Sequence, residues 1–202
     1  MPIDPATILE AAVQRSTAGS AEFTVRTELS SGYEYDGVLH GRIDFASDRC
    51  ELGRDSDRIV HTNLTTYCRQ DDGRWVYQDR SEGTWEPTHP RGALDALRCA
   101  CTSVTAVGQN RFAIEFDRAI VAAMSHPGLS SDWEAINGEV TFDDDGRLAE
   151  VTIRLEAPTE PQHPLSFKFQ FECYGGPVEI ELPPSDATII SLHDHLEALT
   201  SE

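Results

Sequence analysis

The chain has 202 residues, of which 39% are hydrophobic and 25% charged, a low apolar content, but the apolar residues stand in ordered alternation, which excludes a disordered chain. Its 35 acidic residues outnumber 16 lysines and arginines, giving a formal charge of −19. That balance excludes a phosphate backbone as a favoured partner and disfavours an anionic membrane surface.

Asp4 can cap a first helix over residues 4–18, with Pro5 at its first position and Ile8, Leu9, Ala12 and Val13 at helical spacing. From residue 21 the period changes to two. Ala21, Phe23, Val25 and Leu29 share one face, and Glu22, Thr24, Arg26 and Glu28 the other. Further strands are expected over 35–46, 49–52, 58–69 and 74–79, the last two joined by the tight turn Asp71-Asp72-Gly73. Residues 80–91 are rich in turn formers, and 91–98 read as a short helix. Strands return at 102–107 and 111–116, followed by a second short helix over 118–125. Four late strands are expected over 133–142, 148–157, 165–174 and 178–182, with Asp143-Asp144-Asp145-Gly146 turning the first into the second. Residues 191–199 close the chain as a helix.

The late strands alternate most clearly. Val151, Ile153 and Leu155 oppose Thr152, Arg154 and Glu156; Phe167, Phe169 and Phe171 oppose Lys168, Gln170 and Glu172. One buried and one wetted face is the signature of an antiparallel sheet. About ten strands, with helices before, among and after them, predict an α+β, mainly β fold. It is a single domain over residues 1–202: one curved antiparallel sheet, an open half-barrel, with the N-terminal, middle and C-terminal helices packed on its concave face.

This layout resembles the LolA/LppX superfamily of lipoprotein-carrier-like half-barrels over nearly the whole chain. Three stretches carry the resemblance: the opening helix leading into Ala21-Glu22-Phe23-Thr24-Val25, the hairpin at 143–146 feeding Leu148 to Leu155, and the ending Val178-Glu179-Ile180-Glu181-Leu182-Pro183-Pro184. A strand, a proline and a short final helix are a common ending among actinobacterial members. The resemblance implies carriage of a lipid or an acyl chain between sheet and helices, and it transfers no ligand-contacting residue. Members of the superfamily are usually exported. Met1-Pro2-Ile3-Asp4-Pro5 has neither the basic start nor the apolar core of a secretory signal, so the sequence as it stands predicts a cytoplasmic protein, exported if a leader precedes it.

The functional expectation is non-enzymatic binding of a hydrophobic ligand. Its candidate wall residues are Phe23, Val25, Trp75, Trp85, Phe112, Ile114, Val151, Ile153, Phe167 and Phe169. The sequence leaves open whether these line a cavity or fill a core. The alternative is a cytoplasmic protein-interaction module acting through an acidic convex sheet face. No catalytic residue, metal or cofactor is expected. His193-Asp194-His195 reads as a solvated helix face, and the acidic run at 143–146 lacks the spaced ligands and later glutamate of a calcium loop. No Gly-x-Ser-x-Gly elbow and no phosphate loop is present. The five cysteines read as small buried hydrophobes, with a Cys50–Cys68 bridge as the rival.

Overall fold

A computed structural model describes residues 4–29, 37–53, 58–62, 65–79, 89–124, 134–156 and 165–200. Helix α1 (Pro5–Ser16) starts where the sequence places it: Asp4 Oδ1 accepts the amide of Ala6, and Pro5 occupies the first turn. Its buried side chains, Leu9, Ala12, Val13 and Ser16, fall on one stripe.

Six strands then run outward as an antiparallel meander: β1 (Ser20–Leu29), β2 (Gly37–Asp44), β3 (Arg49–Gly53), β4 (Ile59–His61), β5 (Thr65–Arg69) and β6 (Trp75–Asp79). The expected strand over 58–69 is thus two short ones. The chain next passes to the opposite end of the sheet, and α2 (Pro90–Cys99) lies in that connection. From there β7 (Cys101–Gly108), β8 (Arg111–Phe116), β9 (Ala135–Phe142), β10 (Leu148–Glu156) and β11 (Leu165–Glu172) run back inward, with α3 (Arg118–Met124) between β8 and β9. β11 pairs with β1 over eight residue pairs and joins the two meanders at the centre of the sheet.

Two late features differ from expectation. Residues 178–182 form no strand. Pro177, Pro183 and Pro184 flank them, and a proline cannot donate to a ladder. Ile189–Ser191, β12, instead pairs parallel with β6 and makes the sheet twelve strands in the order β12-β6-β5-β4-β3-β2-β1-β11-β10-β9-β8-β7. Helix α4 (Leu192–Thr200) packs against β12 and β6 at this edge, and none of its described residues joins the main core. The sheet is open, not closed into a barrel.

The Asp-Gly turns form as expected. Gly73 and Gly146 adopt φ of 83° and 71°, a conformation a side chain would strain. Asp143 organises the second turn, accepting the amides of Asp145 and Arg147 at 3.0 and 2.8 Å and the guanidinium of Arg147 at 2.9 Å. Burial alone would raise its carboxyl, but these donors outweigh it and hold it below the usual carboxylate range.

One continuous core lies on the concave face. Strands β1, β2, β3 and β8 to β11 supply it from below, and Leu9 and Val13 of α1, Ala93, Leu94, Ala96 and Leu97 of α2 and Val121 of α3 supply it from above.

Candidate functional site

Strand register turns the sequence candidates into a surface. Val25, Phe169, Val151, Val140 and Phe112 are successive partners across β1, β11, β10, β9 and β8. One step along, Thr27, Phe167, Ile153, Gly138 and Ile114 make a parallel row. Seven of the ten candidates thus stand in two adjoining rows, all between 0% and 6% exposed. Phe23 stands beside them, opposite Gly41, with its ring 6.4 Å from that of Phe171. Gly41 is required there: a Cβ would come within 2.5 Å of both the Phe23 ring and the Glu51 carbonyl.

Trp75 is placed elsewhere. It is 3% exposed, but it belongs to a separate cluster with Val60 and Ile180, against which Tyr67, Val178 and Ala187 pack. In the register Trp75, Tyr67 and Val60 alternate with Val76, Cys68 and Ile59, so this cluster lies on the convex side, under residues 178–187. Arg58 covers the Trp75 ring at 5.8 Å, pairs with Glu51 at 3.0 Å and donates to the Glu181 carbonyl at 3.0 Å, tying the C-terminal segment to the sheet. Trp85, like Trp133, lies outside the described residues.

The apolar concave surface meets open space in a groove of about 700 Å³ between α1, α2 and the first half of β7. Leu9 and Val13 from α1, Leu97 from α2 and Val104 from β7 form its apolar wall; Glu10, Gln14 and Arg98 stand at its rim. Ala6, Leu9, Glu10, Val13 and Gln14 are one helical stripe, so a single face of α1 lines the groove. Cys101 to Ser103 line it consecutively, because β7 is the sheet's edge strand and offers its unpaired side. Burial pushes the Cys101 thiol up, so it stands there protonated and apolar. Arg98 is fixed by a 2.7 Å hydrogen bond to the Thr17 hydroxyl. The stripe of Leu9 and Val13 was legible in the sequence; Leu97 and Val104 were not, because only tertiary packing brings α2 and β7 to α1.

The convex face gives the alternative reading no support, because its charges of both signs are interleaved. Among the described strand residues, alternation sends seven basic side chains outward beside ten carboxylates. Many are paired across strands: Arg111 with Glu139 at 2.7 Å, Lys168 with Glu150 at 2.8 Å, Arg42 with Glu51 at 3.1 Å. Interleaved opposite charges are what cross-strand pairing favours, so most of the excess negative charge sits on other parts of the chain.

None of the five cysteines is joined in a disulfide. Cys50 and Cys68 sit on β3 and β5 with β4 between them, roughly two strand spacings apart, beyond the reach of a disulfide. Among the described residues no group of three or more His, Cys, Asp or Glu side chains is arranged to hold a metal. None of the described helices is long and apolar enough to cross a membrane.

No family model and no curated protein sequence matches the chain. Solved structures do. The lipoprotein LppX of Mycobacterium tuberculosis superposes with a TM-score of 0.60 at 12% identity, over 87% of this chain and 97% of LppX. LprF of Mycobacterium bovis gives a TM-score of 0.51 at 12% identity, over 90% of this chain and 97% of LprF. At such identities the likeness is one of fold, and it extends over almost the full length of both mycobacterial chains. The chain has the LppX-like half-barrel fold.

Proposed function

We propose that the protein binds a hydrophobic small molecule, a lipid or a single acyl chain, between the concave face of the sheet and helices α1 and α2. The observation that carries this is the continuity of apolar surface from the two concave rows to the groove walls Leu9, Val13, Leu97 and Val104. A groove of about 700 Å³ falls in the size range of small-molecule sites, and it sets the apolar Leu9, Val13, Leu97 and Val104 beside the polar Glu10, Gln14, Arg98, Thr102 and Ser103. The fold shared with the lipoprotein LppX supports the same reading, as does the lipid carriage implied by the superfamily resemblance. The function proposed is carriage, with no reaction assigned to it.

Native mass spectrometry of protein purified without detergent is the test. A bound apolar mass that disappears on solvent extraction is expected. The stripped protein should then take up the neutral dye N-phenyl-naphthylamine, and Val13→Glu should weaken uptake by about tenfold or more, since it sets a charge in the apolar wall. Protein that carries no such mass and takes up no dye refutes the proposal.

A further inference from the structure

The convex face carries a second hollow, of about 710 Å³, lined mainly by polar and charged side chains. Strand register explains where it lies. His40 on β2 faces Gly53 on β3. One step beyond the Leu52–Ile59 and Ile59–Cys68 pairs, Gly53 meets Arg58 and Arg58 meets Arg69. The Arg69 amide donates to the Arg58 carbonyl at 2.9 Å, and Arg69 faces Trp75 on β6. His40, Gly53, Arg58 and Arg69 therefore form one convex row, and all four line the hollow. Gly53 offers no side chain, which leaves a gap in the row between His40 and Arg58. The adjoining row adds Glu22, Arg42 and Glu51, successive partners across β1, β2 and β3.

Charges around the hollow alternate up to one point. Glu22 faces Arg42, Arg42 pairs with Glu51 at 3.1 Å, and Arg58 pairs with Glu51 at 3.0 Å. The next base, Arg69, stands beside Arg58 and breaks the alternation. Like charges facing each other on adjacent strands are destabilising. Arg58 is fixed: its Nε and Nη2 donate to the two Glu51 oxygens, Nη2 also donates to the Glu181 carbonyl, and the guanidinium covers the Trp75 ring. Its Nη1 and the whole Arg69 guanidinium have no partner among the described residues. Asp71 shares the rim but forms no ion pair with either arginine.

We propose that this hollow binds a small organic anion, with a carboxylate or phosphate group seated between Arg58 and Arg69. Both groups match the planar fork of a guanidinium, which gives two parallel charge-assisted hydrogen bonds. The anion supplies the negative charge that the alternation lacks at this point. Glu51 and Trp75 already hold Arg58 in place, so binding has to order Arg69 alone. The hollow lies on the opposite side of the sheet from the apolar groove, and its ligand is independent of the lipid proposed above.

Succinate and inorganic phosphate are the probes, titrated calorimetrically into the full chain at neutral pH, with ionic strength matched by sodium chloride. Saturable one-site binding of at least one probe is expected with a Kd below about 10 mM, and the probe that binds identifies the oxyanion. Arg69 is exposed, so Arg69→Gln should fold, and it should weaken binding about tenfold or more. Arg26→Gln, at a convex arginine outside the hollow, should leave binding unchanged. The site is refuted if neither probe binds or if Arg69→Gln binds as the parent does. It is equally refuted if Arg26→Gln weakens binding as much as Arg69→Gln, which would show a general attraction to surface cations.

Discussion

The two halves of the sheet solve the same problem differently. From β1 through β11, β10 and β9 to β8 the strands are six to ten residues long, with an apolar concave face and a charged convex one. From β3 to β6 they are three to five residues long, and they bury side chains on both faces: Cys50, Leu52 and His61 within, Val60 and Trp75 without. A long alternating strand orders many residues but also covers a wide row of apolar groups. A three-residue strand offers too little on one face to offset its ordering entropy. The C-terminal segment adds the missing layer, packing Val178 and Ile180 against Trp75, while β12 closes the β6 edge. At the other end β7 keeps an unpaired edge, and there the groove opens.

The sharpest way to break this comparison is to remove the centre of a concave row. Phe169 is fully buried between Val25 and Val151. Phe169→Ala should cost about 3–5 kcal/mol, seen as a lower urea midpoint with an unchanged slope and as loss of exchange protection in every strand. Ile180→Ala removes the equivalent anchor of the convex layer. Its cost should lie nearer 2 kcal/mol, roughly the floor for such truncations, because a small surface cluster collapses more readily around the gap. Its loss of protection should be confined to β4–β6, β12 and α4. A loss spread equally over both halves would show that the short strands depend on the common core, not on their outer layer.

The same contrast explains what was legible in the sequence. Period-two alternation over long strands identified the concave residues on β1, β8, β10 and β11, because a buried face and a wetted face leave a repeating mark. It had nothing to say about Trp75, which the sequence marks only as an aromatic near Trp85 and the prolines at 87 and 90. On strands of five residues with both faces covered, an aromatic side chain carries no mark of which side it serves, and Trp75 faces Ile180 instead of the core. Residues 178–182 alternate like a strand but are bounded by prolines and lie across the sheet, so their apolar side chains pack while their backbone joins no ladder. The net charge suggested an acidic convex face; cross-strand pairing set the local balance instead, as at Arg111 and Glu139. The groove joins residues from α1, α2 and β7 far apart in sequence, and no local pattern encodes that meeting.

The smallest effect sharpens the comparison from inside the long-strand half, where α1 is fastened to the turn before β10. Both backbone groups of Leu148 are bonded by side chains: its amide donates to the Ser16 hydroxyl at 2.8 Å, and its carbonyl accepts the Tyr174 hydroxyl at 2.7 Å. Arg147 lies over the Tyr174 ring at 4.8 Å. Tyr174→Phe keeps the ring and removes one hydrogen bond, for an expected loss of about 1 kcal/mol. Burial, only partly offset by the Ser16 hydroxyl, pushes the Tyr174 phenol from 10.0 up to about 12. A phenol whose folded value is raised contributes stability that is whole below pH 10 and lost as the pH climbs towards about 12. Urea midpoints of the parent should therefore fall between those values more steeply than those of Tyr174→Phe, so that the two proteins converge in stability at high pH. Parallel curves would mean that Tyr174 ionises as freely in the folded chain as in the unfolded one, and that this fastening is made from α1 alone, by Ser16 and by Arg15, whose guanidinium donates to the Gly146 carbonyl at 3.3 Å.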